Sequence, residues 1–330
     1  MESVPLGAGG PQVSRVGLGL MGMSGIYGPA DEAESIATIH AALDAGITLL
    51  DTGDFYGMGH NEMLLREALH GVDRGRVFIG VKFGGQRDPR GAFVGHDASP
   101  AMVKSSLAYS LQRLGTDYID LYQPARLDPR VPIEDTVGAI AEMIDAGFVR
   151  YLGLSEMGPA TIRRAHAVHP VTALQIEYSL MSRGIEDGIL PAVRELGIGV
   201  TAYGVLSRGL LSAVSAREIA PDDPRTRFPR FRAENLSRNL DLVAALEKIA
   251  QSRGVTTAQL AIAWVLSRGT DIVPLIGTKR RDRLAEALGA LDLRLDPGEL
   301  AALEAAVPRG QVAGERYEPT QMAALDSEKP

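Results

Sequence analysis

Three residues of this chain could together deliver a proton. Asp51 closes the run Ile47-Thr48-Leu49-Leu50, Tyr56 lies five residues later among glycines, and Lys82 follows the apolar run Val77-Phe78-Ile79-Gly80-Val81. A free tyrosine has a pKa near ~10, so its phenol is protonated at neutral pH and available to donate, and an ammonium beside it lowers that pKa. Lys82 is therefore expected to tune Tyr56. A buried ammonium needs compensating charge, which Asp51 would supply while fixing its position. Such a general acid contributes roughly 10²- to 10⁴-fold to a rate. Taken singly, each residue has a plainer role: the aspartate caps a helix, the tyrosine packs in a turn, and the lysine stem lies along apolar surface with its head in solvent. Their joint placement makes them a candidate site.

The elements that must position these groups alternate regularly. Short β-branched or apolar runs at 14–18, 47–51, 77–81, 119–123, 151–154, 173–175, 199–203 and 272–274 are separated by longer segments of helical period, such as 31–45, 61–69 and 102–114. This is the pattern of parallel strands joined by crossover helices. Gly46, Gly115, Gly147 and Gly197 each follow a helical segment and precede a strand, where a left-handed cap is expected. About eight repeats in 330 residues predict a closed (β/α)8 TIM barrel, an α/β fold forming a single domain over 1–330. In such a barrel the C-terminal strand ends share one face, where active sites are built. An open doubly wound sheet is less well supported. Gly17, Gly19 and Gly22 have the spacing of a dinucleotide-binding turn, but Ser24, Gly25, Gly28 and Pro29 stand where its helix should begin.

Two irregular stretches, 84–100 and 211–236, are long enough to be functional loops. The second carries Pro221, Pro224 and Pro229 with Arg225, Arg227, Arg230 and Arg232, which either form a solvated loop or clamp a ligand. The tail after Val307 has little periodicity. With 45% hydrophobic residues the chain can bury a large core, and no uninterrupted apolar stretch reads as a membrane span. The start, with Glu2 and Pro5, lacks the pattern of a signal peptide, so a soluble, cytoplasmic protein is expected. Zero cysteines exclude disulfides and thiolate chemistry, and a net charge of −7 argues against a general nucleic-acid binder. His166 and His169 lie three residues apart without an evident acidic partner, so a metal site is not expected.

From about Val16 to about Leu291 the chain resembles the aldo-keto reductases, through the ordered blocks LLDTGDFYG with GHNE, VKFG, RLGTDYIDLY, GLSE, QIEYSL and PLIGTKRRDRL. The resemblance implies that a nicotinamide, NADPH, delivers a hydride to a carbonyl carbon while Tyr56 protonates the oxygen, assisted by Lys82 and Asp51. It implies a small-molecule carbonyl substrate, no nucleic-acid or membrane partner, and is compatible with a homo-oligomer. Relatives usually carry a histidine after the fourth strand in a run like LYxxHR. Here the run is Leu121-Tyr122-Gln123-Pro124-Ala125-Arg126, so the imidazole position falls on Ala125. His60 is a conceivable substitute, although a loop histidine of this kind more often lies at the surface. The run Gln123 to Pro129 is similar to pyridoxal reductases, which makes a pyridoxal-like aldehyde the leading named substrate, with a bulkier ketone equally compatible with the room left by Ala125. Another class of reading is an NADPH-holding redox sensor or auxiliary subunit with little turnover.

The cofactor ends are also expected from the sequence. After a last strand ending at Gly277, the run Thr278-Lys279-Arg280-Arg281-Asp282-Arg283 opens a helix in an otherwise acidic chain. Helix N-terminal amides, the positive dipole end and clustered cations converge there on an anion. The resemblance assigns Gly277, Thr278, Lys279 and Arg283 to the 2′-phosphate end and Glu286 to the adenine edge, with Ala287 where relatives often have asparagine. It assigns Ser155, Glu156 and Gln175 to the carboxamide, Tyr203 to stacking on the ring, and Gly204, Leu206, Ser207 and Gly209 to the pyrophosphate.

Overall fold

The structure, a computed structural model, describes residues 1–212, 219 and 223–329. Eight parallel strands form a closed barrel: β1 (Gly17–Gly19), β2 (Leu49–Gly53), β3 (Phe78–Phe83), β4 (Ile119–Pro124), β5 (Val149–Ser155), β6 (Val171–Glu177), β7 (Gly199–Tyr203) and β8 (Ile272–Gly277). Each strand pairs with its neighbour in sequence order, and the ring closes through Leu275 opposite Gly17. The spacing is tight enough there that a Cβ on Gly17 would meet Leu275 and Leu49 side chains at 2.6 and 2.9 Å.

Alternation along the strands decides what enters the lumen. Successive strand residues point to opposite faces. Leu50, Ile79, Tyr122, Leu152, Leu174 and Val200 belong to the main core, which the surrounding helices complete. Leu49, Phe78, Leu121, Ala173 and Val273 form a second cluster with Val4, Leu6 and Val13 of an N-terminal hairpin. Two residues beyond Leu49, Leu121 and Ala173, and therefore on the same face, stand Asp51, Gln123 and Gln175; four beyond Phe78 stands Lys82. The same alternation that packs one end of the lumen with hydrocarbon thus puts polar groups at the other.

The helices begin and end where capping chemistry requires. Glu32–Asp44 starts at Asp31, whose carboxylate accepts the Glu34 amide at 2.8 Å, and Pro100–Leu114 starts at Ser99 and stops at Gly115 with φ 65°. Gly46, Gly147 and Gly197 also have positive φ, as their placement after helical segments predicts. Glycines 17, 19 and 22 lie on β1 and the short turn Met21–Ser24, not on a phosphate-binding turn before a helix.

Two irregular stretches contain more structure than their composition indicates. Within 84–100, Gly85–Arg87 pairs antiparallel with Phe93–His96, tied down by Arg87 donating to the carbonyls of Phe55 at 3.2 Å and Gly91 at 2.7 Å. The strands are too short and glycine-rich to show a period. Part of 211–236, including Pro221, lies outside the described residues; the rest forms the turns Pro224–Arg227 and Pro229–Phe231 before a helix at Ala233–Arg253. The tail carries a short helix, Pro319–Ala324. Among the described residues no helix is long and apolar enough to cross a membrane.

Candidate active site

Asp51, Tyr56 and Lys82 come together at the C-terminal mouth. Gly53 and Lys82 are register partners on β2 and β3. The Lys82 ammonium donates to Asp51 Oδ1 at 2.7 Å and to the Thr52 carbonyl at 2.9 Å, and lies 5.1 Å from the centroid of the Tyr56 ring. Gln175, arriving from β6, donates its amide to the other oxygen of Asp51 at 2.7 Å. All four side chains are buried. Burial, and after it the Asp51 carboxylate, push the Tyr56 phenol well above its ordinary pKa, while burial lowers that of Lys82. A net lowering of Tyr56 by Lys82 is thus not what the arrangement produces, because Asp51 offsets the ammonium's charge and desolvation dominates. The phenol stays protonated at neutral pH, as a donor must.

The loop holding Tyr56 is built by the motif that follows it. Asn61 is buried and bridges three segments: it accepts from Thr52 Oγ1 at 2.6 Å and donates to the Leu20 carbonyl at 2.9 Å and to Ser24 at 2.7 Å. Glu62 is buried against Arg113. His60 sits at the exposed start of the helix His60–Ala68, its Nδ1 3.0 Å from Ser24 Oγ. Phe55 packs edge-on against Tyr56 at 5.0 Å.

The lumen keeps hydrogen-bonding capacity in reserve. Ser155 Oγ, Thr201 Oγ1 and both amide atoms of Gln123 are buried without a partner among the described residues. Buried polar atoms cost free energy unless paired, so these fit a polar ligand such as a carboxamide in the barrel mouth. Ala125 is buried, its amide bonded to the Phe83 carbonyl at 2.9 Å.

Glu156 stands at the end of β5 with φ 53°, a left-handed conformation that is unusual for a side chain other than glycine, asparagine or aspartate. Its carboxylate is fully engaged: Arg316 reaches both oxygens at 3.0 and 2.8 Å, Tyr203 donates at 2.7 Å, Ser327 at 2.5 Å and the Glu177 amide at 3.0 Å. Tyr203 Oη is also 3.0 Å from Tyr317 Oη. Burial alone would raise the Glu156 pKa, but Arg316 overrides it and brings the group down to about 2. After Tyr203 the chain runs through Gly204, Ser207, Arg208 and Gly209, all with positive φ. Backbone amides in such a run make concave anion sites. Glu177 sits beneath it, with Arg230 at 3.5 Å, Arg208 at 3.6 Å and Arg316 at 3.2 Å.

At the end of β8, Lys279 Nζ donates to the Pro29 carbonyl at 2.5 Å and lies 3.4 Å from that of Gly28. Thr278 Oγ1 accepts from the Arg280 amide at 3.2 Å ahead of the helix Arg281–Leu288. Arg283 pairs with Glu286 at 2.9 Å, Arg281 with Glu34 and Arg280 with Asp282. Gly277 is exposed beside them. Of the loop arginines, Arg230 is buried, Arg225 binds Asp223, Arg227 lies 5.1 Å over the Phe228 ring and Arg232 binds Glu318; a wholly solvated loop is not what they form.

Sequence reasoning passed over Arg316, Tyr317, Arg208, Glu177, Arg126 and His96. The short run Phe93-Val94-Gly95-His96 and the position of Arg126 just past a strand were visible signals; nothing local marked Arg316.

The aldo/keto reductase family matches residues 15–308. A probable aldo-keto reductase of Glycine max is 43% identical over 323 residues, 96% of this chain and 92% of that protein. The structure is similar to the glycerol dehydrogenase of Gluconobacter oxydans, with a TM-score of 0.84 at 30% identity over 96% of this chain and 98% of the other. It is also similar to a thermostable aldo-keto reductase solved with the inhibitor epalrestat, with a TM-score of 0.75 at 27% identity over 93% and 100%. Closed barrel, polar C-terminal mouth and matched residues agree: the chain is an oxidoreductase fold of the aldo/keto reductase family and belongs to that family.

Proposed function

We propose that the protein is an NADPH-dependent carbonyl reductase that converts an aldehyde or ketone to an alcohol. The observation that carries this reading is the Lys82–Asp51 ion pair at 2.7 Å, set beside the protonated Tyr56 ring. When bound, the nicotinamide supplies a hydride to the carbonyl carbon. Tyr56 gives its phenolic proton to the carbonyl oxygen as negative charge develops there. Lys82 stabilises the phenolate that remains, and Asp51, held by Gln175 as well, keeps the ammonium in place.

For the cofactor, Ser155 offers an unpartnered hydroxyl to the carboxamide. Gly204, Leu206, Ser207 and Gly209 line the pyrophosphate in a turn where Gly204, Ser207 and Gly209 have positive φ, and Thr278 and Lys279 offer hydroxyl and cation to the 2′-phosphate, with Arg283, paired to Glu286, beside them. Tyr203, Glu156 and Gln175 then act mainly by positioning, since each is already engaged within the protein. An alanine at 125, smaller than an imidazole, favours a pyridoxal-like aldehyde or a bulkier ketone as the substrate.

The test follows NADPH absorbance with purified protein and a panel of pyridoxal, small aldehydes, quinones and bulky ketones, beside Tyr56→Phe. Consumption that falls roughly 10²-fold or more in the variant supports the reading. Saturable NADPH binding without turnover above the variant would overturn it in favour of an auxiliary, NADPH-holding subunit.

A further inference from the structure

Arg126 is the first side chain beyond Ala125, and among the described residues it forms no direct ion pair. It is half-buried, and among the described residues its one hydrogen bond goes to the Ala125 carbonyl next to it, at 2.6 Å. Among the described residues no carboxylate is within ion-pair distance of it, whereas Arg316, Arg230 and Arg208 in the same region all reach Glu177. Withdrawing a cation from water without a partner is costly, so a half-buried guanidinium left this way at a strand end is a functional candidate. It emerges from β4, next to the strand bearing Lys82, where Phe83 and Pro124 are register partners. Following the C-terminal end of β4 it stands at the mouth, where its charge acts on Tyr56, Lys82 and His96 and also meets those of Tyr203, Tyr317 and Glu156.

His96 supplies a second polar group there. Its residue pairs with Gly85, which packs directly against Phe55, the edge-on neighbour of Tyr56. The imidazole rests on Phe93 at 4.8 Å, and its Nδ1 is buried without a partner among the described residues. Burial, then the Arg126 charge, lower its pKa to about 4, so it is neutral at physiological pH. Arg126 and His96 therefore contribute one positive charge and one neutral hydrogen-bonding group. A dianionic phosphate would leave surplus negative charge close to Glu156, whose carboxylate already acts on Arg126; a carboxylate matches both the single charge and the planar fork of arginine.

We propose that Arg126 is a specificity-determining residue that takes the carboxylate of the substrate, with His96 as its hydrogen-bonding neighbour, so that the preferred substrates are aldehydes or ketones carrying a carboxylate. This rests on the carbonyl-reductase reading and adds a substrate class to it.

The experiment compares a benzaldehyde bearing a para carboxylate with its methyl ester and with the corresponding phenyl phosphate, for wild type, Arg126→Gln and Arg126→Lys. Wild type is expected to favour the carboxylate over the ester by about 10- to 100-fold in kcat/KM, mostly through KM, as a charge-assisted hydrogen bond provides. Arg126→Gln should bring that ratio close to one, with Arg126→Lys between. No wild-type preference for the carboxylate, a stronger preference for the phosphate, or an equal loss on acid and ester in Arg126→Gln would overturn the proposal. If no aldehyde is consumed, the reductase reading fails separately, and calorimetry with benzoate in the presence of NADP+ still decides the role of Arg126. Binding weakened about tenfold or more in Arg126→Gln supports it; no binding to wild type, or equal binding to both, overturns it.

Discussion

Arg316 binds both carboxylate oxygens of Glu156, at 3.0 and 2.8 Å, across a separation of 160 residues. Glu156 ends β5 in a left-handed conformation and Arg316 belongs to the C-terminal tail, so this contact fixes the tail over the barrel mouth. Both groups are buried. The pair does not act alone, since Arg316 also meets Glu177 at 3.2 Å and Glu328 at 2.5 Å.

Arg316→Met should destabilise the protein by about 3–5 kcal/mol, because it leaves the buried Glu156 carboxylate without its cation. Denaturant unfolding followed at constant slope measures this. An unchanged midpoint would mean that the tail contributes nothing to the stability of the barrel.

Lys82→Met is expected to reduce kcat by roughly 10²-fold or more and to lower stability, since Asp51 then lacks its counter-ion. Adding Asp51→Asn should restore much of the stability without restoring turnover, as replacing both partners removes the stranded charge. Recovery of both properties together would show that the pair is structural only.

Asp54, in the loop before Tyr56, gives a pH dependence of defined sign. Burial, followed by the charge of Glu62, raises its pKa from 3.8 to about 7. The folded state therefore holds this proton more tightly than the unfolded one. Stability from protonated Asp54 is complete below about 3.8 and is lost as pH rises through about 7. Asp54→Asn should accordingly stabilise the protein at pH ~8, by on the order of a few kcal/mol, and change little at pH ~4. Thermal or denaturant melts at both pH values test this, and a difference independent of pH would assign the effect to packing.

Among the described residues Lys279 is held by backbone carbonyls, whereas Arg280, Arg281 and Arg283 each have a carboxylate partner. Among the described residues of this segment its charge is thus without a carboxylate, which suits the proposed 2′-phosphate. Lys279→Ala should weaken NADPH roughly tenfold or more and leave NADH nearly unchanged, as read by fluorescence titration of both. Equal weakening of the two would remove Lys279 from phosphate recognition.

Much of this site was legible in the chain because it depends on short-range rules. Strand alternation carries Asp51, Lys82, Gln123 and Gln175 to one lumen from the same pattern that packs Leu49, Phe78, Leu121 and Ala173 at the other end. The glycine after each helix marks a left-handed turn wherever the strand must follow at once, as at Gly46 and Gly115. Regular repetition of these two signals suffices for a closed barrel, and a closed barrel puts its strand ends on one face.

What the tertiary structure alone decided is how charge is distributed once those strand ends meet. Lys82 was expected to lower the Tyr56 pKa, yet desolvation and Asp51 raise it, because burial depends on the whole barrel and not on the local run. The hairpin placing His96 beside the mouth, the engagement of Glu156 by Arg316, and the isolation of Arg126 arise from segments far apart in sequence. By itself the sequence determined the barrel, through periodicity, and the family, through ordered motifs, and it marked Asp51, Tyr56 and Lys82 as a candidate proton-donor site, since periodicity and spacing are local properties. Partners and charge balance were settled only in three dimensions, where Coulomb forces and solvent exclusion act on distance through space.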